Sequence, residues 1–208
     1  MSVASRADVA RHIARVDPAF ASVVRAAGLP PAWRPAPVDD RFAALVRSIT
    51  FQLLATRAAA TIHERVVTCC EGDVRASTII EVGDQTLRQA GLSGSKARAI
   101  VELAHAVHDG RVRLAHHGRL RDDEVSDELT QVNGIGPWTA QMYLMHTLAR
   151  PDVWPSGDFG VRHGWSVVHQ LDEPIAERDL RPRGDAFVGV RSSVAWYCWR
   201  AIDLERAG

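Results

Sequence analysis

The stretch LTQVNGIGPWTAQMYLMHTLARPDVWPSGDFGVRHGW, residues 129–165, decides the fold. A helix reading over 122–132 ends at Val132, the tight turn NGIG follows, and a second helix opens at Pro137. Proline suits a first helical turn, because the N–H it lacks would be unsatisfied there anyway. Gly134 and Gly136 permit tight backbone geometry and leave their N–H groups uncovered at a helix N-terminus, an arrangement that attracts an anion such as a phosphate. A plain helix-to-helix turn has the same sequence. Further along, a Pro/Gly turn leads into Asp158, which heads a new helix; aspartate is a good N-cap, so capping alone would also account for it.

Outward from this stretch, apolar residues recur at helical spacing nearly everywhere. Residues 39–60 place Phe42, Leu45, Val46, Ile49 and Leu53 on one face, and 96–108 repeat the pattern with Gly110 just past the end. Further helices are expected over 4–16, 18–27, 58–70, 84–90, 138–148, 158–169 and 186–205, with GLPPAWRPAP, GLSGS and WPSG as punctuation. Sustained period-2 alternation is absent. The expected fold class is all-α.

The chain has 208 residues, between one and two domains' worth, with 46% hydrophobic and 24% charged residues. That composition is globular and argues against disorder. No apolar run reaches the ~18 residues of a membrane span, and the N-terminus lacks a signal-peptide core. Three cysteines, Cys69, Cys70 and Cys198, make neither a disulfide framework nor a four-thiolate site, and read as thiols in a reducing cytoplasm. Basic and acidic residues balance at 25 each, so nucleic-acid binding requires the positive charge to be gathered on one face. Lys96 is the single lysine among those 25 basic residues. Three motif matches fail. His63-Glu64 lacks the second histidine of a zincin, since position 67 is Val. GLSGSK is not a phosphate loop, and Ser156, Asp158 and His163 lie on one turn and its helix with no second element to orient the histidine.

Five blocks in order, FAALVRSITFQLLATRAA, GLSGSKARAIVELAHAV, LTQVNGIGPWTA, RPDVWPSGDFGVR and RSSVAWYCWR, span about Phe42 to Arg200. In them the chain resembles the helix–hairpin–helix (HhH-GPD) DNA glycosylase superfamily, and within it the compact bacterial 3-methyladenine DNA glycosylase II branch. It departs in carrying Gln52-Leu53 where members often have two glutamines, and in placing the proline of the Gly/Pro–Asp turn three residues before Asp158.

The resemblance implies a two-lobed helical fold with the active site in the cleft between lobes. One lobe is a bundle over 39–140 ending in the hairpin; the other combines 1–38 with 141–208, without the extra N-terminal sheet domain of longer relatives. It makes Asp158 the catalytic carboxylate, with Trp138 lining the base pocket and Trp199 beside the carboxylate. Met142 and Trp33 border the pocket. Leu53 and Gln52 are placed at the wedge that enters the base stack, with Leu53 as its apolar plug. Gly134, Gly136, Thr139 and Lys96 meet a phosphate. The carbonyls of Thr130, Val132 and Gly134 hold a monovalent cation, Na+ or K+. No cofactor is required and no iron–sulfur cluster is expected. At residue level other readings stay open: Leu53, Trp138, Trp199 and Met142 as core, and Lys96 as a solvated charge.

The implied activity is excision of alkylated bases from double-stranded DNA in base excision repair, by a cytoplasmic monomer that does not touch membranes. A base inside a duplex must be extruded, and an apolar plug fills the gap. N-alkylated purines are electron-poor and often cationic, so aromatic faces attract them. They also leave readily, so one carboxylate that stabilises the sugar cation and guides a water suffices. A non-catalytic hairpin module would need neither Asp158 nor an aromatic pocket. A bifunctional glycosylase/lyase would need a lysine beside the hairpin, where Trp138 stands.

Overall fold

A computed structural model describes residues 5–207, Thr56 by its backbone only, and all regular structure among them is helical. In chain order the α-helices are α1 (Arg6–Val16), α2 (Ala21–Ala27), α3 (Arg41–Phe51), α4 (Thr56–Cys69), α5 (Ala76–Gln89), α6 (Gly94–His108), α7 (Asp122–Thr130), α8 (Pro137–Met142), α9 (Phe159–Val168), α10 (Glu177–Leu180) and α11 (Arg191–Ala207). None is long and apolar enough to cross a membrane. The chain forms two compact units, one of Arg34–Ala149 and one of Met1–Trp33 with Arg150–Gly208.

In the discontinuous unit, Ser5 and Asp8 close a capping box on α1, and Asp17 accepts from the Ala19 amide at the short 3-10 turn Pro18–Phe20. Its core is aromatic. Phe20 meets Trp165 and Phe187 edge-on, and Trp165 stacks on His169 with ring centroids 4.3 Å apart. The Tyr197 hydroxyl on α11 donates to the Gly28 carbonyl beyond α2 at 2.9 Å.

The continuous unit packs Leu45, Val46, Ile49, Ile79, Leu87, Ile100, Leu103 and Leu129, all fully buried, from α3, α5, α6 and α7. Its borders fall at 34 and 149 rather than at 39 and 140. Past α8 the chain continues as one π-helical stretch, Tyr143–Thr147, with Tyr143 buried against His117. The Ala36 amide donates to the Thr147 carbonyl at 2.8 Å, tying both borders to this unit.

Two elements differ from the sequence reading. The helix expected over 84–90 is preceded, across a break at Gly83, by helical residues 76–82 that the sequence reading did not expect, although the β-branched run Thr78-Ile79-Ile80 is a poor helix former. Burial of Ile79 overrides propensity, and Gly83, at φ 71°, breaks the helix where only glycine fits easily. The continuous helix expected over 39–60 is interrupted: α3 ends at Phe51 and α4 begins at Thr56.

Candidate active site

Asp158 is the N-cap of α9, its Oδ1 accepting from the Val161 amide at 2.7 Å. The same oxygen accepts from the Trp199 indole Nε1–H at 2.9 Å. Two donors on one oxygen orient the carboxylate, and only the first belongs to helix capping. Both Asp158 and Trp199 are half-buried.

Helix α11, which carries Trp199 in its middle, is anchored at its start. At its start Arg191 forks onto Asp152 through Nε and Nη2, at 2.7 and 2.8 Å, and the Gly189 amide reaches the same carboxylate. Ser192 Oγ donates to the Arg150 carbonyl and accepts from the Val153 amide. The loop that delivers Asp158 is therefore clamped to the helix that supplies the indole. Two glycines set the spacing between α9 and α11. A Cβ on Gly160 would stand 2.8 Å from Trp199 Cδ1, and one on Gly164 would stand 1.9 Å from the Cys198 carbonyl oxygen. Burial, and secondarily the Asp158 carboxylate, push the Cys198 thiol up, so this neighbour is an un-ionised packing group.

The hairpin lies in the continuous unit. Gly134 takes φ 91°, and a Cβ there would meet Ala99 Cβ of α6 at 2.5 Å, so this glycine is required for packing. Gly136 has nothing within 4 Å of such a Cβ and caps α8 with no side-chain hydrogen bond. Trp138 is half-buried at the start of α8, and Met142 is buried at its end. Trp138 and Met142 thus belong to one unit, Asp158 and Trp199 to the other.

Leu53 is not on the apolar face of a helix. It sits in the break between α3 and α4, at φ 54°, and the residue is fully exposed. Core packing is thereby ruled out. Leaving a leucine in water forgoes ~1.5–3 kcal/mol of burial, and left-handed backbone costs a non-glycine residue about 1 kcal/mol more. The fold itself gains nothing from this leucine.

The neighbours of Leu53 correct three further expectations. Gln52 turns inward, its Nε2 donating to the Gly134 carbonyl at 3.0 Å and to Thr139 Oγ1 at 2.8 Å. Thr139 is 1% exposed, so its hydroxyl answers Gln52 rather than a phosphate. The Lys96 ammonium, expected at a phosphate or in solvent, donates to the carbonyls of Thr50 at 2.8 Å and Gln52 at 2.6 Å. Burial holds its pKa below the ordinary lysine value.

Of the carbonyls expected to hold a cation, Gly134 O accepts from Gln52 Nε2 and Val132 O accepts from the Ile135 amide, each bond using one of a carbonyl oxygen's two lone pairs.

Residues 46–183 match the model of the HhH-GPD superfamily of base excision DNA repair proteins. The chain belongs to that superfamily. This HhH-GPD chain is 26% identical to the DNA-3-methyladenine glycosylase 1 of Schizosaccharomyces pombe over 197 residues, 93% of the chain and 86% of that protein. It superposes with TM-score 0.87 on the solved S. pombe 3-methyladenine DNA glycosylase in complex with abasic DNA, at 26% identity, covering 92% of this chain and 95% of that one. A DNA-3-methyladenine glycosidase from Bacillus halodurans matches with TM-score 0.78 at 28% identity, covering 96% and 91%.

The sequence reading of this HhH-GPD chain missed the supports of Asp158. Gly160 and Gly164 stand four apart in GVRHG, a spacing of small residues that marks close helix approach and was legible. The Asp152–Arg191 clamp joins positions 39 apart and leaves no local signal.

Proposed function

We propose that this chain is a monofunctional DNA glycosylase that excises alkylated bases of the 3-methyladenine type from double-stranded DNA by hydrolysing the N-glycosidic bond. The reading rests on the doubly held Asp158 carboxylate in a chain of this superfamily. A helix cap needs the Val161 amide alone; the Trp199 indole, admitted by Gly160, adds orientation that capping does not require.

In this mechanism the C1′–N bond breaks and its electron pair leaves with the base. The electron-poor, alkylated purine is a good leaving group, and aromatic faces attract it by stacking and cation–π contact. Asp158 faces the sugar as positive charge develops. At ~4 Å and an effective dielectric near 20 the attraction is about 4 kcal/mol, or ~10³-fold in rate. Water adds its oxygen to C1′ and gives its proton to the carboxylate and on to solvent. Leu53, exposed at the break between α3 and α4, fills the space the base leaves. No step passes through a metal ion. The protein acts as a monomer in the cytoplasm.

Hydrolysis rather than strand cleavage follows from the amines. A lyase needs an amine that attacks C1′ to form a Schiff base, and arginine stays protonated at any working pH. Lys96 is the single lysine of the chain, and two carbonyls hold its ammonium. Incubation with a duplex carrying one alkylated purine should leave an intact abasic strand that breaks only on later alkali treatment. Borohydride should trap no covalent adduct; a strong adduct surviving Lys96→Ala would overturn the hydrolytic assignment.

Binding to undamaged duplex is expected to be weak and salt-dependent, with a log–log slope of about −0.9 per phosphate neutralised. Gly136, where an added Cβ would have nothing within 4 Å, is a better probe of a phosphate at the hairpin amides than Gly134. Gly136→Val should weaken binding about ten-fold, the worth of one ~1.5 kcal/mol hydrogen bond to a charged group, with a stability loss of no more than the ~1 kcal/mol that a poorer N-cap costs. Unchanged affinity and slope would remove the hairpin from the DNA interface. Gly134 cannot serve, because its substitution strikes Ala99 first.

A further inference from the structure

The segment 39–60 is patterned as one continuous helix, yet the chain leaves helical geometry for the four residues between Phe51 and Thr56. Two side chains from distant positions meet the backbone there. Lys96, rising from the first turn of α6, donates to the carbonyls of Thr50 and Gln52, groups that a continuing helix would have bonded to its own amides. Gln52 in turn spans to the Gly134 carbonyl and Thr139 Oγ1 of the hairpin. The hairpin closes the triangle by packing Gly134 directly on Ala99, one turn along α6 from Lys96.

We propose that Lys96 and Gln52 are positioning residues that lock the 52–55 break open and tie it to the hairpin, so that Leu53 is presented to DNA in one fixed geometry. The inference rests on the glycosylase reading above, since it assigns the fixed leucine to the duplex. It also accounts for the solitary lysine. In a chain that otherwise uses arginine for every basic side chain, position 96 needs a compact ammonium that fits between two carbonyls 2.8 and 2.6 Å away. The planar, wider guanidinium fork does not fit that geometry. Desolvation of the ammonium is consistent with a group turned into the protein rather than outward to a phosphate.

The test compares excision from duplex and single-stranded DNA carrying the same alkylated purine, for the wild type, Lys96→Arg, Lys96→Met and Gln52→Ala, with melting temperatures measured alongside. Lys96→Arg keeps the charge, so a phosphate contact would survive it and a positioning role would not. The expected result is a loss of ten- to about 10²-fold on duplex, the scale of an ångström's misplacement, with single-strand excision within about two-fold of wild type. In a Leu53→Ala background Lys96→Arg should change duplex excision no further, because its effect runs through Leu53. A duplex carrying 2-aminopurine reports base extrusion without chemistry and should lose its fluorescence rise in Lys96→Arg and Lys96→Met. Full duplex activity in Lys96→Arg, equal losses on both substrates, or a loss that persists without Leu53 would overturn the inference. Absence of base release by the wild type, with extrusion still dependent on Lys96, would instead sink the glycosylase reading and leave the positioning role standing.

Discussion

Asp158→Asn should release alkylated bases about 10³-fold more slowly than the wild type while melting within ~0.5 kcal/mol of it. Asparagine keeps an oxygen at Oδ1, so it can accept from both the Val161 amide and the Trp199 indole. It is also as good an N-cap as aspartate. Only the negative charge is lost, and that charge is the part assigned to the sugar cation. Duplex affinity should be unchanged, which separates failed chemistry from failed binding. Full activity in this variant would reduce Asp158 to a helix cap.

Gly164→Ala should be the most damaging single methyl addition near the site. The new Cβ would lie 1.9 Å from the Cys198 carbonyl oxygen and 2.3 Å from its carbon, both backbone atoms that cannot swing aside. Helices α9 and α11 must then move apart by more than an ångström. Overpacking of this kind costs typically ~1–3 kcal/mol, and a backbone clash belongs at or above the upper end. For a chain of this size that is a fall of roughly 10 °C in melting temperature. Function should fall as well, because Asp158 heads α9 and Trp199 follows Cys198 on α11, so the separation draws the indole off the carboxylate. A variant that melts like the wild type would show that the two helices are less tightly apposed than the structure has them.

What was readable in the sequence was whatever local chemistry determines. Pro137, Gly134, Gly136 and Asp158 mark their own turns and caps, because proline fixes φ, glycine admits φ 91° and aspartate caps a helix, each within a few residues. The break at 52–55 was not readable. Its residues are helix formers, and what stops the helix comes from Lys96, 44 residues on, and from the hairpin, 82 and 87 residues on. The same distance hides Thr139, whose burial follows from packing against α3, and the start of α5, where the burial of Ile79 outweighs its propensity. Leu53 was legible as a wedge only through resemblance. Its full exposure in left-handed backbone is what separates that reading from core packing.

The most direct test of the account is chromatography of the bases released when the purified protein is incubated with alkylated duplex DNA. Release of free 3-methyladenine-type bases by the wild type, with Asp158→Asn about 10³-fold slower and the strands intact until alkali is added, is the result expected. DNA binding with no free base released would contradict it and leave a hairpin module that binds without cutting the glycosidic bond.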